Sequence, residues 1–370
     1  MNFVINKKCL YKSLQKVIAI VASRPRIPIL THILLEVSRN HLFITATDLE
    51  IEIIAYLMLE QEYPCPFRVT VSGRKFFEIC RSFPESAKIS ITLKDERLMI
   101  CSGTSKFSLS TLCAEDFPKS DEWKDGVKLT ISQLSLKKMI ELTQFSMGSQ
   151  DARYYLNGIF FKTAKDSVRI VATDGHRLAT CKTSVSGVLS EQSIIIPRKG
   201  IVEILRLLTM QEKLVDIYFN KTSVRIKIDN YVFTSKLIDA VFPNCCDIFL
   251  KKQSRNVLEI TCEVLRHALK RVAILANEKL RIIQFVLMKN QLKITSYNFS
   301  HETSEEILDV SYCGENMEVF FNVDYLLNIL NVMLDQEILR FFLTDSISSV
   351  QIESASRIYA ATYIVMPVRT

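Results

Sequence analysis

Ile170-Val171-Ala172-Thr173-Asp174 is a short, largely apolar run that ends on a turn-forming residue, aspartate in two copies and asparagine in the third, and the chain writes it three times. Its counterparts are Ile44-Thr45-Ala46-Thr47-Asp48 and Ile294-Thr295-Ser296-Tyr297-Asn298. Working outward from each copy, the same neighbours recur. Upstream, an extended run feeds an amphipathic helix pattern: Phe3-Val4-Ile5 into Leu10 to Val21, Leu129-Thr130-Ile131 into Leu134 to Met147, and Leu258-Glu259-Ile260 into Val264 to Ala276. Downstream comes a second helix pattern, Lys75 to Arg81, Lys199 to Leu208 and Val323 to Leu334. A strand leading to a proline then closes each third, Phe107 to Pro118, Phe233 to Pro243 and Tyr359 to Pro367. The copies lie roughly 125 residues apart, far beyond the periods of about 20–50 that mark solenoids and propellers. They read as whole domains of one fold. Polar stretches, Lys119 to Gly126 and Lys251 to Asn256, place the domains at 1–124, 125–252 and 253–370.

Runs such as Ile33 to Val37, Ile159 to Lys162 and Ile283 to Leu287 are short, apolar or alternating, and bounded by polar turns, which is the pattern of strands. Two helices among many strands predict an α+β fold, with helices packed on one face of antiparallel sheet. An apolar fraction of 48% supplies a core for each third. No apolar run approaches the ~20 residues that span a bilayer. Met1 to Lys8 lacks the apolar core and cleavage site of a signal peptide, so a soluble, cytoplasmic protein with no membrane partner is expected. The chain has 10 cysteines, none in Cys-x-x-Cys and none at zinc spacing from histidine. Most read as reduced thiols in apolar strands or helices; Cys245-Cys246 is the one place where exposed thiol is expected.

The formal net charge of +7 matters less than its placement. First helices carry Lys7, Lys8, Lys12 and Lys16, then Lys137 and Lys138, then Arg266, His267, Lys270 and Arg271. Second helices add Arg74, Lys75 and Arg81, then Arg198, Lys199 and Arg206, whereas the third copy is neutral to acidic with Asp324 and Asp335. Residues four apart share a helix face, so these cations build a surface suited to a phosphate backbone, which needs charge but no base-reading groups. Catalytic signatures are missing. There is no Gly-rich phosphate loop, nucleophile elbow or His-Glu-x-x-His. Asp48, Glu50 and Glu52 alternate on one face of a strand end and read as solvated. Asp174-Gly175-His176-Arg177 offers acid, base and cation, but no nucleophile stands beside it. A binding or scaffolding role without cofactor or metal is expected, not an enzyme.

Thr173-Asp174-Gly175-His176-Arg177-Leu178, preceded by Gln150-Asp151-x-Arg153-Tyr154-Tyr155-Leu156-Asn157-Gly158, resembles the bacterial DNA sliding clamps, the beta subunits of DNA polymerase III. So do Arg74-Lys75-Phe76-Phe77, Phe107 to Leu112, Pro197-Arg198-Lys199-Gly200 and Val365-Met366-Pro367, and the likeness runs end to end. It implies a homodimer closing head to tail into a ring of six clamp domains around duplex DNA, tethering the polymerase III catalytic subunit and docking the clamp loader, other polymerases and repair proteins through one peptide pocket. The resemblance places that pocket at Leu156, Thr173, Gly175, His176, Arg177, Leu178, Pro243, Ile248, Asn322, Tyr325, Ile347, Ser349, Ile364, Met366, Pro367 and Arg369. DNA contacts would fall on Arg24, Arg74, Gln150, Tyr154, Tyr155, Arg198 and Lys199, and the ring joint on Phe107 and Leu109 against Ile274 and Leu275. Asp247, Leu280 and Thr370 depart from the family pattern, which usually has arginine, an aromatic and an apolar residue there. A nucleic-acid binder that does not encircle DNA is the rival reading, since basic helices alone permit it.

Overall fold

The computed structural model describes residues 2–22, 26–120, 123, 126–185, 190–244, 256–355 and 360–369, the side chains at 64 and 65 excepted. The first third runs β1 (Asn2–Asn6), α1 (Lys7–Val17), β2 (His32–Thr47), β3 (Ile51–Ser72), α2 (Gly73–Ser82), β4 (Lys88–Lys94), β5 (Arg97–Ser102) and β6 (Ser105–Leu112). The second runs β7 (Val127–Ser132), α3 (Gln133–Glu141), β8 (Gly158–Ala164), β9 (Ser167–Thr173), β10 (Arg177–Ser184), β11 (Gln192–Pro197), α4 (Arg198–Leu207), β12 (Leu214–Phe219), β13 (Ser223–Ile228) and β14 (Tyr231–Lys236). The third runs β15 (Asn256–Thr261), α5 (Cys262–Val272), β16 (Ile282–Met288), β17 (Gln291–Tyr297), β18 (Thr303–Asp309), β19 (Ser311–Tyr312), β20 (Met317–Asn322), α6 (Val323–Leu330), β21 (Ile338–Leu343), β22 (Val350–Ser354) and β23 (Ala360–Val365). Strand, helix, strands, helix, strands is the order every time. In the first third the 22-residue β3 does what β10 with β11, and β18 with β20, do elsewhere.

Contacts gather into two compact units, Met1–Leu134 with Val202–Leu237, and Ser135–Ile201 with Ile238–Thr370, so the central third contributes to both. In the first unit one sheet has the order β1-β4-β5-β6-β3-β14-β13-β12-β7, with β2 paired to β3. In the second, one sheet runs β11-β8-β9-β10-β23-β22-β21-β15-β19 and a smaller one β18-β17-β16-β20. The thirds are joined by strand pairing of one kind. The last strand of the second third, β14, lies antiparallel to β3, with Tyr231 opposite Ala55 and Ser235 opposite Ile51. The last strand of the final third, β23, lies antiparallel to β10, with Arg177 opposite Val365 and Lys182 opposite Ala360.

The repeated run ends each time in a turn closed by its own Asp or Asn side chain, one residue longer in the third copy. Asp48 Oδ1 accepts from Glu50 N and Ile51 N, Asp174 Oδ1 from His176 N and Arg177 N, and Asn298 Oδ1 from Ser300 N and Glu302 N. In the first two copies the preceding threonine, Thr47 or Thr173, donates to the carbonyl of the residue that begins the next strand. Short polar side chains that bond their own backbone are what such turns require.

Helix cores follow the apolar period. Leu10, Leu14 and Val17 on α1 and Leu265, Leu269 and Val272 on α5 are fully buried, four and then three residues apart. Boundaries differ from the sequence reading. α1 begins at Lys7, not Leu10, because the Asn6 side chain accepts from Lys8 N and admits a polar first turn. The pattern from Leu134 to Met147 breaks after Glu141 into a separate 3-10 turn, Gln144–Ser146, where the Thr143 hydroxyl bonds back to Met139 O. α6 stops at Leu330, short of Leu334.

Two further expectations need correction. Glu52 is not solvated: it is buried and accepts from Ser120 N at 2.9 Å, while Asp48 shapes its turn. Among the described residues no cluster could hold a metal ion. Exposed thiols are not confined to Cys245-Cys246, which lie outside the described residues, because Cys9, Cys113 and Cys313 are exposed. No described helix is long and apolar enough to cross a membrane.

Candidate partner pocket and nucleic-acid-facing residues

Alternation along β8, β9, β10 and β23 sends Phe160, Val171, Leu178 and Ile364 to one face, where the register sets Phe160 opposite Val171 and Leu178 opposite Ile364. Val171, Leu178, Ile195, Phe242 and Ile364 form one apolar cluster, with Tyr155 and Phe160 packed on it. At its end opens a cavity of about 160 Å³ lined by Arg153, Tyr155, Leu156, Thr173, Gly175, His176, Arg177, Leu178, Pro243, Ile364 and Met366. Met366 N bonds to His176 O at 2.9 Å, which holds the end of the last strand against the turn. The wall is mainly apolar, with Arg153, His176 and Arg177 among the lining residues.

The guanidinium groups are held in place. Arg177 Nε donates to Asp174 Oδ2 at 2.9 Å and its Nη2 to Phe145 O at 2.6 Å. Its plane lies over the rings of Tyr325 at 4.6 Å and Phe145 at 5.6 Å. Arg153 forks onto Asp151 and donates to Asp174 O. Those bonds hold the Asp151 carboxyl at about 2, below its ordinary 3.8. Gly175, at φ +89°, takes the Arg153 guanidinium against its bare Cα: a Cβ there would meet Nη1 at 2.8 Å.

Of the pocket positions expected from sequence, Asn322, Tyr325, Ile347, Ser349, Pro367 and Arg369 do not line this cavity, and Ile248 lies outside the described residues. Asn322 caps α6 by accepting from Asp324 N, Tyr325 supports Arg177, and Ile347 is exposed in a turn built on Asp345. Two lining residues were not expected there. Arg153 stood in the quoted motif without a role, and Tyr155 was grouped with the DNA contacts. Tyr154–Leu156 is a 3-10 turn, whose successive side chains diverge by about 120°. Tyr154 therefore stands exposed while Tyr155 turns onto the apolar cluster.

The other expected DNA contacts that fall among the described residues are surface groups. Arg198 and Lys199 open α4, and Arg198 Nη1 bonds to Met147 O and Gly148 O, holding the loop that carries Gln150 and Tyr154. Arg74 is exposed on α2, and Arg24 lies outside the described residues. The basic helices are less open than their sequence implies. Lys7 is buried beneath the Tyr11 ring. Lys138 pairs with Glu141, Arg81 with Glu78, Arg266 with Asp335 and Arg271 with Glu306. Arg206 binds the carbonyls of Gln15 and Lys16 at the end of α1, where cations complement the helix dipole.

Among the described residues β6 and β18 each pair along one side, β6 with β5 and, at its far end only, with β3, and β18 with β17. Phe107 and Leu109 on β6, and Leu308 on β18, are only half-buried, whereas Leu98 and Ile100 on β5 and Leu292 and Ile294 on β17 are fully buried. Ile274 and Leu275 lie in the turn after α5, not on the helix itself, and Ile274 is 77% exposed.

Comparison with known proteins agrees with this architecture at every level. The family models for the DNA polymerase III beta subunit match in order, the N-terminal domain at 1–121, the central domain at 130–244 and the C-terminal domain at 249–369. The Beta sliding clamp of Salmonella typhimurium is 46% identical and that of Escherichia coli strain K12 45% identical, each with 100% of both chains covered. The chain belongs to the bacterial beta sliding clamps. A crystal structure of a Pseudomonas aeruginosa sliding clamp bound to griselimycin superposes with a TM-score of 0.96 at 39% identity, covering 100% of both chains.

As a beta sliding clamp the chain is an accessory, non-catalytic processivity factor of replication, and the tetrad from Asp174 to Arg177 has a structural account: Asp174 makes the turn and orients Arg177. Of the departures from the clamp-family pattern, only Leu280 falls among the described residues, and it does not line the cavity. Leu280 is exposed at the turn after Asn277, and Asp247 and Thr370 lie outside the described residues.

Proposed function

We propose that two copies of this chain close head to tail into a ring of six domains, bounded at 1–124, 125–252 and 253–370, that encircles duplex DNA without reading its sequence. The ring tethers the catalytic subunit of DNA polymerase III. The edges of β6 and β18 that, along most of their length, have no partner strand among the described residues support this reading. Twice within one chain, the last strand of a third pairs with the strand that leaves the repeated turn of the third before it: β14 on β3, and β23 on β10. By that rule β6 needs a third that precedes the first, and β18 of a second copy supplies it. Two chains satisfy both edges, so a heterologous contact closes rather than propagating. Register carries over too. Ser235, Val365 and Leu109 each lie opposite the first apolar residue of the preceding hairpin strand, Val224, Val350 and Leu98. Since Ser235 opposes Ile51 and Val365 opposes Arg177, Leu109 would oppose the partner's Glu302, and Lys106 the partner's Glu305. That sets a cation opposite a carboxylate.

The cavity bounded by Leu156, Leu178, Ile364 and Met366 suits a short extended peptide with apolar anchors, oriented by the polar rim. The polymerase, the clamp loader, other polymerases and repair proteins would share it, in the cytoplasm. Sedimentation equilibrium tests closure directly: dimer mass at micromolar concentration is expected, and monomer mass would overturn the ring. Retention on closed circular DNA with loss on linearisation separates it from a surface binder.

A further inference from the structure

We propose that the partner pocket continues into a cationic groove on the same sheet face, and that this groove receives an acidic stretch of the docking peptide, flanking its apolar anchors. The inference rests on the pocket reading above. A second cavity, of about 420 Å³, is lined by Phe160, Lys162, Arg169, Lys182, Glu191 and Pro243 among others, and Pro243 also lines the first cavity. Phe160 stacks on Phe242 at 4.6 Å, so the apolar cluster under the partner pocket is also the floor where the groove begins.

Three cations then follow in a single row. Register places Lys162 opposite Arg169 on β8 and β9, and Arg169 opposite Lys182 on β9 and β10. Like charges directly opposite one another repel. Lys162 has a counter-charge in Glu191 at 2.7 Å, but Arg169 and Lys182 have no carboxylate within ion-pair distance among the described residues. The row therefore keeps a positive potential that an incoming anion relieves. Its span fits a peptide: neighbouring strands lie ~4.8 Å apart, so three cations cover ~10 Å, the length of about three residues of extended chain. The row also points away from the Phe145–Tyr363 stack, which covers the opposite face beside Ala179.

The test uses the full chain and labelled peptides sharing a Gln-Leu-x-Leu-Phe core. One has neutral flanks, one three glutamates before the core, and one three glutamates after it. At low salt an acidic flank should tighten binding to wild type by about 5-fold, in line with two or three exposed ion pairs. That gain should vanish at high salt and in Arg169→Gln/Lys182→Gln, while the neutral peptide binds wild type and double variant alike. No gain from either flank, or a gain that survives the double variant, overturns the groove. A short duplex that loses affinity in the double variant while the acidic gain is absent would assign the row to nucleic acid instead. Should the neutral core fail to bind wild type, or bind Met366→Ala equally well, the pocket reading itself falls and takes the groove with it.

Discussion

Arg177 shows how a side chain suggestive of catalysis is committed elsewhere. Asp174, the Phe145 carbonyl and two aromatic rings hold it at the cavity wall, and its Nη1 finds no acceptor among the described residues. Across the rim, Asp151 fixes Arg153. The folded-state carboxyl sits at about 2 against an ordinary 3.8, so the fork is fully formed above the ordinary value and is lost as pH falls through the lower one. An NMR titration of the Asp151 carboxyl carbon should give a midpoint near that depressed value, and an ordinary midpoint would remove the fork. Met366 is half-exposed at the cavity mouth, where truncation removes contact without emptying the core. Met366→Ala should weaken a Gln-Leu-x-Leu-Phe peptide about 10-fold with the melting temperature nearly unchanged, as read by fluorescence anisotropy and thermal melts. At this scale the sequence was legible where a residue acts through its own backbone, as Asp174 does. It was misleading where neighbours diverge: nothing in Tyr154-Tyr155 marks the 3-10 turn that sends one ring outward and the other onto the pocket floor.

Elements were legible through period. The apolar stripes on α1 and α5 and the alternation of the strands appear in the sequence as they appear in the structure. What the pattern hides is the use made of charge. Arg206 reads as a surface cation, yet it caps α1, whose end lies about 190 residues away in sequence. Such a partner leaves no local trace. The edges β6 and β18 are the elements on which closure depends. Ile274, exposed beyond α5, together with the half-buried Leu275, Phe107 and Leu109, offers apolar surface that a partner would cover. Burying each large side chain contributes on the order of 1.5–3 kcal/mol. Ile274→Ala/Leu275→Ala should therefore sediment as folded monomer at micromolar concentration, and a double variant that stays dimeric on dilution would displace the joint. Register is testable separately. Lys106→Cys combined with Glu305→Cys should give a covalent dimer under mild oxidation that neither single variant gives. If the exposed native thiols Cys9, Cys113 and Cys313 link the single variants equally well, the proposed register has no support.

On the scale of the whole molecule, threefold repetition was readable from the first residues compared, but its consequence was not. The strand register shows that each third hands an edge to the next and that, among the described residues, one hand-over is left incomplete at either end. Charge then decides how such a ring would hold DNA. The net charge of +7 is spread thinly once Lys138, Arg206, Arg266 and Arg271 are engaged with carboxylates or carbonyls, leaving cations such as Arg74, Lys12 and Lys270 exposed. Few phosphates can be neutralised at once, so direct contact with a short open duplex should be weak. Each phosphate neutralised contributes roughly 0.9 to the slope of log affinity against log salt. Few contacts predict a shallow slope, so short-duplex binding, weak from the start, falls below detection by physiological salt only because little affinity is there to lose. Rings loaded on closed circular DNA face a different barrier, because leaving requires opening an apolar joint, and salt does not screen apolar contact. Retention on the circle should therefore persist across the salt range that abolishes duplex binding, and should collapse in Ile274→Ala/Leu275→Ala at every salt concentration. If retention on circular DNA instead falls in step with duplex binding, and the interface variant is retained like wild type, the chain holds DNA from outside and does not encircle it.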